Sequence, residues 1–145
     1  MAARTWQLFV YGTLDPAGGT RMGDWIAARL VRAEPACVPG RLFGLHSGDG
    51  WFPALAPARG PGRVRGVLCT LRLNRGELAL LDRYEGAEYR RITVRARTAA
   101  GWRCAQAYRW HAALPARATA IPAGDFAAWL RRTRRKPFAT PGTCA

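Results

Sequence analysis

The pattern of apolar positions predicts two strands in the first third of the chain. Trp6 to Tyr11 is an almost continuous apolar run, which is typical of a strand buried on both faces. Ala33 to Leu45 is also strand-like, but Pro35, Pro39 and Gly40 interrupt it. We therefore expect an edge strand or a bulge in this segment.

A further strand and a hairpin are predicted in the second half. Val64 to Leu73 is apolar enough to be a strand. Arg91 to Thr98 is the clearest strand, because apolar residues alternate with polar ones along it. The segment 99–101 ends in glycine and predicts a hairpin turn into a partner strand from Trp102 to Trp110. One face of that partner strand would carry Cys104, Gln106, Tyr108 and Trp110.

Three short helices complete the predicted elements. Apolar residues at helical spacing predict a helix over Arg21 to Leu30. Asn74 can cap a second helix, with Glu77 completing a capping-box pattern, and this helix runs to about Tyr84 and ends by Gly86. Asp125 is the expected N-cap of the last helix. The buried residues of that helix would be Phe126, Trp129 and Leu130.

The segment between His46 and Gly62 is rich in glycine and proline and predicts a loop. It carries three large apolar residues, Trp51, Phe52 and Leu55. Such a loop is either a lid on the core or the wall of a pocket, and the sequence leaves both open.

Strands outnumber helices, the helices are short, and at least one hairpin is antiparallel. This combination favours an α+β fold, with a curved antiparallel sheet or small barrel flanked by helices. A chain of 145 residues fits one compact domain. We expect that domain to span residues 1–136 and to be followed by a loosely ordered tail over residues 137–145.

The charge balance raises the question of nucleic-acid binding. The chain has 23 Lys and Arg against 9 Asp and Glu, a formal net charge of +14. Many arginines occupy alternating strand positions, such as Arg95 and Arg97, where a solvated outer face is the simpler explanation. Only the segment Arg131 to Lys136 forms a basic cluster. We therefore do not expect a nucleic acid as a partner, and this cluster keeps the alternative open.

Cysteine and histidine spacing indicates no metal site. The four cysteines and two histidines are dispersed, without a C-x-x-C pair. Cys69 and Cys104 lie in apolar strand-like runs and are predicted to be buried thiols. There is no signal-peptide pattern and no apolar stretch of the roughly 20 residues that span a bilayer. The expected location is a reducing cytoplasm, without membrane association.

Glu85 is the strongest candidate for a reactive group. Leu78 and Leu81 precede it by seven and four residues, so the three side chains share one helical face. A carboxyl group on that apolar face, at the negative end of a helix dipole, should have a raised pKa. It could then accept and return a proton near neutral pH. The alternative is a solvated carboxylate, or one paired with Arg90 or Arg91.

Two other carboxylates compete with Glu85 for this role. Asp82 lies on the flank of the apolar stripe and is predicted to be a surface or salt-bridge group. Glu88 falls in a turn beyond the helix. Neither residue is predicted to point inward.

The turn Tyr11-Gly12-Thr13-Leu14 is the second candidate feature. Where a buried strand breaks at glycine, successive backbone N–H groups lose their ladder partners and can converge on an anion or an oxyanion. An ordinary strand-to-loop turn is the alternative. No Gly-x-x-x-x-Gly-Lys phosphate loop and no Gly-x-Gly-x-x-Gly motif is present.

Taken together, these segments resemble the γ-glutamylcyclotransferase-like, or AIG2-like, family, over roughly residues 6–130. The resemblance rests on several short segments that occur in the family's order. They are Phe9-Val10-Tyr11-Gly12-Thr13-Leu14, Val64-x-Gly66-x-Leu68, Leu80-Leu81-Asp82-Arg83-Tyr84-Glu85-Gly86, Tyr89-Arg90-Arg91, Tyr108-x-Trp110 and Ile121-Pro122-Ala123-Gly124-Asp125-Phe126.

The resemblance implies a small β-barrel with flanking helices and a central cavity. It also implies an enzyme that releases 5-oxoproline and an amine or amino acid from a γ-glutamyl compound, a cyclising acyl transfer or lyase-type reaction, without a metal or organic cofactor. Glu85 would be the general acid/base. The turn from Tyr11 to Leu14 would bind the γ-glutamyl group, and Tyr108 is assigned to the same site.

One feature separates this chain from part of that family. Enzymes directed at glutathione or γ-glutamyl amino acids tend to carry Tyr-Gly-Ser-Asn at the turn. Thr13-Leu14 instead resembles the γ-glutamylamine cyclotransferase and antibiotic-biosynthesis branch. Two alternatives remain beside this enzyme: a non-catalytic protein that binds a small metabolite in the same cavity, and a nucleic-acid-associated protein using Arg131 to Lys136. The leaving group, the pathway and the oligomeric state are not predicted.

Overall fold

The structure is a computed structural model that describes residues 2–48, 50–58 and 60–138. Eight strands and three helices are found in this part of the chain. In chain order they are β1 Arg4–Val10, α1 Arg21–Ala27, β2 Leu30–Pro39, β3 Arg41–Ser47, β4 Gly50–Ala56, β5 Arg63–Leu73, α2 Arg75–Glu85, β6 Tyr89–Thr98, β7 Gly101–Trp110, β8 Thr119–Ala120 and α3 Phe126–Thr133.

Five of the strands close into a barrel in the order β1-β5-β2-β6-β7. The neighbours β1–β5, β2–β5, β2–β6 and β6–β7 pair antiparallel. The barrel closes where β1 pairs parallel with β7 at Leu8 and Gln106, so the sheet is mixed. The remaining strands form a second sheet in the order β4-β3-β8. The predicted α+β barrel with short flanking helices is confirmed.

Strand β1 is buried on both faces, as its apolar run predicts. Phe9 belongs to a core cluster with residues such as Leu68 and Phe126. Its neighbours Leu8 and Val10 point the other way, into a second cluster that includes residues of α1 and α2. The strand that leads into the Tyr11 turn is therefore held by two layers of core.

Helix α2 has defined ends. The Asn74 side chain accepts a hydrogen bond from the Glu77 backbone N–H at 2.8 Å, and the Glu77 carboxylate accepts one from the Asn74 N–H at 3.0 Å. This is the capping box that the sequence predicts. Gly86 ends the helix with φ 87°, a backbone conformation that favours glycine. Glu85 is consequently the last residue of the helix.

The structure corrects the predicted loop between His46 and Gly62. Residues Gly50–Ala56 form strand β4, which pairs antiparallel with β3. Periodicity and the glycine and proline content do not indicate this strand. Pro53 is tolerated because β4 is the edge strand of its sheet and needs hydrogen bonds on one side only.

Two predicted boundaries are also different. The predicted strand from Ala33 to Leu45 is two strands, β2 and β3, which meet at Gly40. An added Cβ on Gly40 would lie 2.7 Å from the Leu55 side chain, so the chain turns tightly there. Helix α1 ends at Ala27 rather than Leu30, because Leu30 already pairs with Leu71 of β5.

The two cysteines predicted to be buried differ in their surroundings. Cys69 is fully buried, and burial raises the pKa of its thiol to about 12. Cys104 is exposed, which corrects the prediction. It pairs with Arg95 across the β6–β7 hairpin, and both residues are exposed. An apolar stretch of sequence therefore did not mean burial at this position.

Helix α3 is the last helix or strand among the described residues. The Asp125 carboxylate accepts a hydrogen bond from the Ala128 N–H at 3.0 Å, so it is the N-cap as predicted. Phe126 and Trp129 are buried, and Leu130 is half-buried. Of the predicted tail, Phe138 donates its N–H to the Trp51 carbonyl at 2.6 Å. Residues 139–145, the rest of that prediction, lie outside the described residues.

No helix within residues 2–48, 50–58 and 60–138 is long and apolar enough to cross a membrane.

Replacing Asn74 by Ala should lower the free energy of unfolding by about 1 kcal/mol, because the Glu77 N–H loses its acceptor. Chemical denaturation measures this loss. Asn74→Asp, which keeps an acceptor oxygen at the N-cap, should retain most of the stability. Equal losses in the two variants would contradict the assignment of the cap.

Candidate active site

Every residue predicted for the site lines a single pocket. The pocket lies where β1 ends, between the Tyr11 turn, strand β4 and the C-terminal end of α2. Its lining residues are Phe9, Val10, Tyr11, Gly12, Thr13, Leu14, Pro53, Glu85, Tyr89 and Tyr108. The fold thus brings a turn near the start of the chain against a carboxyl group about seventy residues later.

The start of helix α1 holds the turn in place. The Thr20 hydroxyl donates to the Thr13 carbonyl at 2.5 Å and accepts from the Gly23 N–H at 2.9 Å. Thr20 is the N-cap of α1, so one side chain joins the turn to the helix start. The Asp15 N–H also donates to the Gly12 carbonyl at 2.9 Å.

Three successive backbone donors are left in this turn. Among the described residues, no protein acceptor takes a hydrogen bond from the N–H groups of Gly12, Thr13 or Leu14. In this turn the carbonyls of Gly12 and Thr13 accept hydrogen bonds from the protein, whereas the three N–H groups donate none to it. Such a run of free N–H groups suits an anionic or carbonyl oxygen.

Gly12 allows strand β4 to come close to the turn. A Cβ on Gly12 would lie 2.2 Å from Cγ and 2.7 Å from Cδ of Pro53. The proline ring has little freedom to move away. Only glycine therefore permits the observed contact between the turn and the pocket wall.

The hydroxyl groups of the two predicted tyrosines are engaged with the protein. The Tyr11 hydroxyl donates to the Tyr108 backbone carbonyl and accepts from the Leu55 N–H at 3.2 Å. Burial raises the pKa of Tyr11, and the nearby Glu85 adds to this shift. The Tyr108 hydroxyl donates to the Asp82 carboxylate at 2.5 Å. Both rings line the pocket, but their hydroxyl groups serve to hold its walls.

The Glu85 carboxyl is surrounded by protein atoms, although the residue as a whole is half-buried. Leu78 and Leu81 of the same helical face are buried, as the spacing predicts. Within the described residues, no cationic side chain forms an ion pair with Glu85. Burial raises the pKa of its carboxyl from the ordinary value of 4.5 to about 8.

The arginine that could have neutralised Glu85 is bound elsewhere. Arg91 Nε lies 3.0 Å from Asp82 Oδ1, and Arg91 Nη1 donates to Gln106 Oε1 at 3.0 Å. Asp82 is therefore a salt-bridge group, as predicted. Because Asp82 pairs with Arg91 and Tyr108, the charge of Arg91 is compensated away from Glu85.

Four lining residues of the pocket were not among the predicted site residues: Phe9 and Val10, which lead into the turn, and Pro53 and Tyr89, which lie elsewhere in the chain. Tyr89 donates its hydroxyl to the Pro53 carbonyl at 2.5 Å, and both residues line the pocket. Burial raises the pKa of Tyr89 well above its ordinary value. The signal for Tyr89 was its position in the Tyr89-Arg90-Arg91 segment. Pro53 gave none, because its strand was predicted to be a loop.

The pocket around Glu85 is narrow, but it opens on two sides. Its own volume is about 20 Å³, close to the space of one water molecule. A cavity of about 190 Å³ adjoins it at Thr13, Glu85 and Tyr89. Another of about 240 Å³ adjoins the turn at residues 11–13 and extends towards Arg65 and α3, away from Glu85. Anything larger than water that reaches Glu85 must extend into these spaces.

No group of three or more His, Cys, Asp or Glu side chains in the described ranges is arranged to hold a metal ion.

A family model described as gamma-glutamyl cyclotransferase, AIG2-like, matches residues 8–129. This match spans the turn, both walls of the pocket and Glu85. The chain belongs to the AIG2-like gamma-glutamyl cyclotransferase family. The resemblance seen in the sequence is confirmed at the level of the family.

Solved structures of other proteins have the same fold. YkqA from Bacillus subtilis has a TM-score of 0.70 and 23% identity, covering 90% of this chain and 43% of YkqA. An AIG2-like protein from Mus musculus has a TM-score of 0.57 and 19% identity, covering 77% of this chain and 81% of the mouse chain. A structure named gamma-glutamyl cyclotransferase has a TM-score of 0.54 and 16% identity, covering 98% and 94%.

These identities establish the fold alone, and this family member spans less than half the length of YkqA. A search of curated proteins found no match.

Replacing Glu85 by Gln should stabilise the protein at alkaline pH. Because the folded pKa is raised, the unfolded chain loses its proton first, and stability falls as pH rises from 4.5 to about 8. Glutamine removes this penalty. We expect equal stability near about pH 3.5, below both pKa values, and a gain of about 2 kcal/mol near about pH 8.5, less than the full linkage value because Glu85 is partly open to solvent.

Chemical denaturation at the two pH values measures this difference. Glu34→Gln is the matched control, because Glu34 lies 3.4 Å from Arg32 and should show no alkaline gain. A Glu85→Gln variant that gains nothing at alkaline pH would contradict a buried, unpaired carboxyl.

Replacing Gly12 by Ala should lower the free energy of unfolding by about 2 kcal/mol, since the new Cβ would overlap the Pro53 ring. Thermal or chemical unfolding measures the loss. Gly60→Ala is the control, because no atom lies within 4 Å of an added Cβ there. Two variants of equal stability would show that the turn and β4 are not in close contact.

Proposed function

We propose that this protein is an enzyme that releases 5-oxoproline from a γ-glutamyl amine. One observation carries the proposal: a carboxyl with a pKa of about 8 faces, in one pocket, a turn with three free backbone donors. The family match supports the reaction type. The substrate and the roles of individual residues are the proposal's own.

Glu85 carries the proton in both halves of the reaction. Its carboxylate takes a proton from the substrate's α-ammonium, and the freed amine nitrogen attacks the γ-carbonyl carbon. As the bond from that carbon to the leaving nitrogen breaks, Glu85 gives the same proton to the leaving nitrogen, and the ring nitrogen loses its second surplus proton to water. The products are 5-oxoproline and a free amine. A pKa near 8 suits a group that must do both near neutral pH.

The turn binds the reacting γ-glutamyl group. The N–H groups of Gly12, Thr13 and Leu14 would hold a substrate oxygen and offset the charge that develops on the γ-carbonyl oxygen. Tyr11 and Tyr108 position the turn and the opposite wall, because their hydroxyl groups already bond to the protein. Ring closure is intramolecular, so a correctly folded substrate supplies much of the rate.

The cavity beside Glu85 suggests the chemistry of the leaving group. It is lined by Phe52, Tyr84, Tyr89 and Phe138 together with Glu85 and Glu88, and by no Arg or Lys. In a protein of net charge +14, a basic side chain would be expected there by chance. Aromatic rings and carboxylates favour a cationic amine. This agrees with the resemblance of Thr13-Leu14 to the γ-glutamylamine branch.

The proposed chemistry needs neither a metal nor an organic cofactor, since Glu85 and backbone donors supply every step. We propose a cytoplasmic location for the enzyme.

The test is a panel of γ-glutamyl compounds with 5-oxoproline detection. The panel should contain γ-glutamyl derivatives of a cationic diamine, a neutral alkylamine and an amino acid, together with glutathione. We expect turnover of the amine derivatives, with the cationic one preferred, and little turnover of glutathione.

Glu85→Gln should lower kcat by at least about 100-fold on an accepted substrate, because the proton carrier is lost. Glu34→Gln, the same chemical change on the distant strand β2, should leave kcat unchanged. Full turnover by the Glu85 variant would end the proposed mechanism. Substrate binding without any 5-oxoproline would instead favour a non-catalytic protein that binds a small metabolite.

A further inference from the structure

The outer face of the β6–β7 hairpin carries an exposed tryptophan flanked by arginines. Trp102 is 42% exposed. The guanidinium carbon of Arg95 lies 5.2 Å from the Trp102 ring centroid, and that of Arg97 lies 5.7 Å from it. The strand register explains the cluster, because Arg97 is directly opposite Trp102 across the hairpin.

Two adjoining grooves, which share Arg63, lie on this side of the molecule, and Trp102 lines the smaller of them. One, of about 200 Å³, is lined by Arg63 and Trp102 among others. A larger one, of about 710 Å³, is lined by Arg63, Arg65 and Arg97. No aspartate or glutamate lines either groove.

The positive charge of this surface is not compensated by the protein. Within the described residues, Arg63, Arg65, Arg95 and Arg97 form no ion pair with a carboxylate. Asp125 is an acidic residue in the vicinity. It lines, together with Arg65, the separate cavity beside the Tyr11 turn, and its carboxylate accepts the capping hydrogen bond of α3. A row of unpaired guanidinium groups would attract a polyanion.

We propose that this surface, the Trp102 face (Arg63, Arg95, Arg97 and Trp102), binds single-stranded nucleic acid. Guanidinium groups bind phosphates in a planar, two-pronged geometry. An exposed indole offers a platform for an unpaired base, which a duplex keeps inside its stack. The combination of a basic groove and an exposed aromatic side chain is the arrangement that single-strand binding uses.

The sheet produces this surface from residues that are far apart along the chain. Arg63 lies at the start of β5, whereas Arg95 and Arg97 lie in β6. From spacing alone, these arginines were expected to be solvated singly. The Arg131–Lys136 cluster is different, because the rings beside it are not exposed: Arg135 lies 4.7 Å from the buried Trp129 ring and 4.8 Å from the half-buried Trp51 ring. Part of that cluster is therefore used in packing.

The test measures binding of the full chain to a fluorescently labelled single-stranded oligonucleotide of about twelve nucleotides, by anisotropy at several salt concentrations. Wild-type protein should bind at low salt, and the affinity should fall steeply as salt rises. Arg95→Gln with Arg97→Gln should weaken binding at least tenfold. The matched control, Arg131→Gln with Arg132→Gln, removes the same charge and should weaken it less than threefold.

Trp102→Ala should weaken binding about tenfold without changing the salt slope, because a stacking contact is lost rather than a phosphate contact. Trp102→Phe, which keeps a ring, should restore most of the affinity and guards against a folding defect. The proposal is overturned if no binding occurs at low salt, or if the two arginine pairs lose affinity equally. It is also overturned if a duplex of the same sequence binds more tightly, or if Trp102→Ala binds like wild type.

Discussion

The central constraint in this structure is a buried carboxyl group that has no ion-pair partner among the described residues. Burial raises the pKa of Glu85 to about 8, and this works against folding whenever the group is charged. The neighbouring side chains leave Glu85 without an ion-pair partner. Arg91 is bound by Asp82, and Asp82 is also bound by Tyr108. A capping box at one end and Gly86 at the other fix the helix that carries Glu85. The burial of Glu85 therefore lowers the stability of the fold at the position where we propose the proton carrier.

The fold on the other side of the pocket depends on close approach. Gly12 lets the Pro53 ring contact the turn, and Tyr89 holds Pro53 through its carbonyl. Thr20 ties the same turn to the start of α1. The turn is therefore fixed from two sides, by β4 and by α1, while its N–H groups stay free for a ligand. This arrangement gives backbone donors a defined direction without any contribution from a charged side chain.

Much of this could be predicted from local patterns. The double burial of β1, the hairpin of β6 and β7, the capping box at Asn74 and the inward direction of Glu85 all depend on spacing along one element. Strand β4 could not be predicted, because its stability comes from pairing with β3 and not from its own residues. Pro53 was missed as a site residue for the same reason, because it lies in β4. The exposure of Cys104 and the gathering of arginines around Trp102 depend on which sheet face is covered, which no single segment specifies.

The most direct test of the account is the pH dependence of kcat/KM on an accepted γ-glutamyl amine, since this profile reports the pKa of the essential group in the free enzyme. If Glu85 must be ionised to take the substrate's proton, kcat/KM should rise tenfold per pH unit on the acid side and level off near pH 8, the pKa of the buried carboxyl. A profile that is flat across neutral pH, with its acid limb near the ordinary carboxyl value of 4.5, would contradict the central claim.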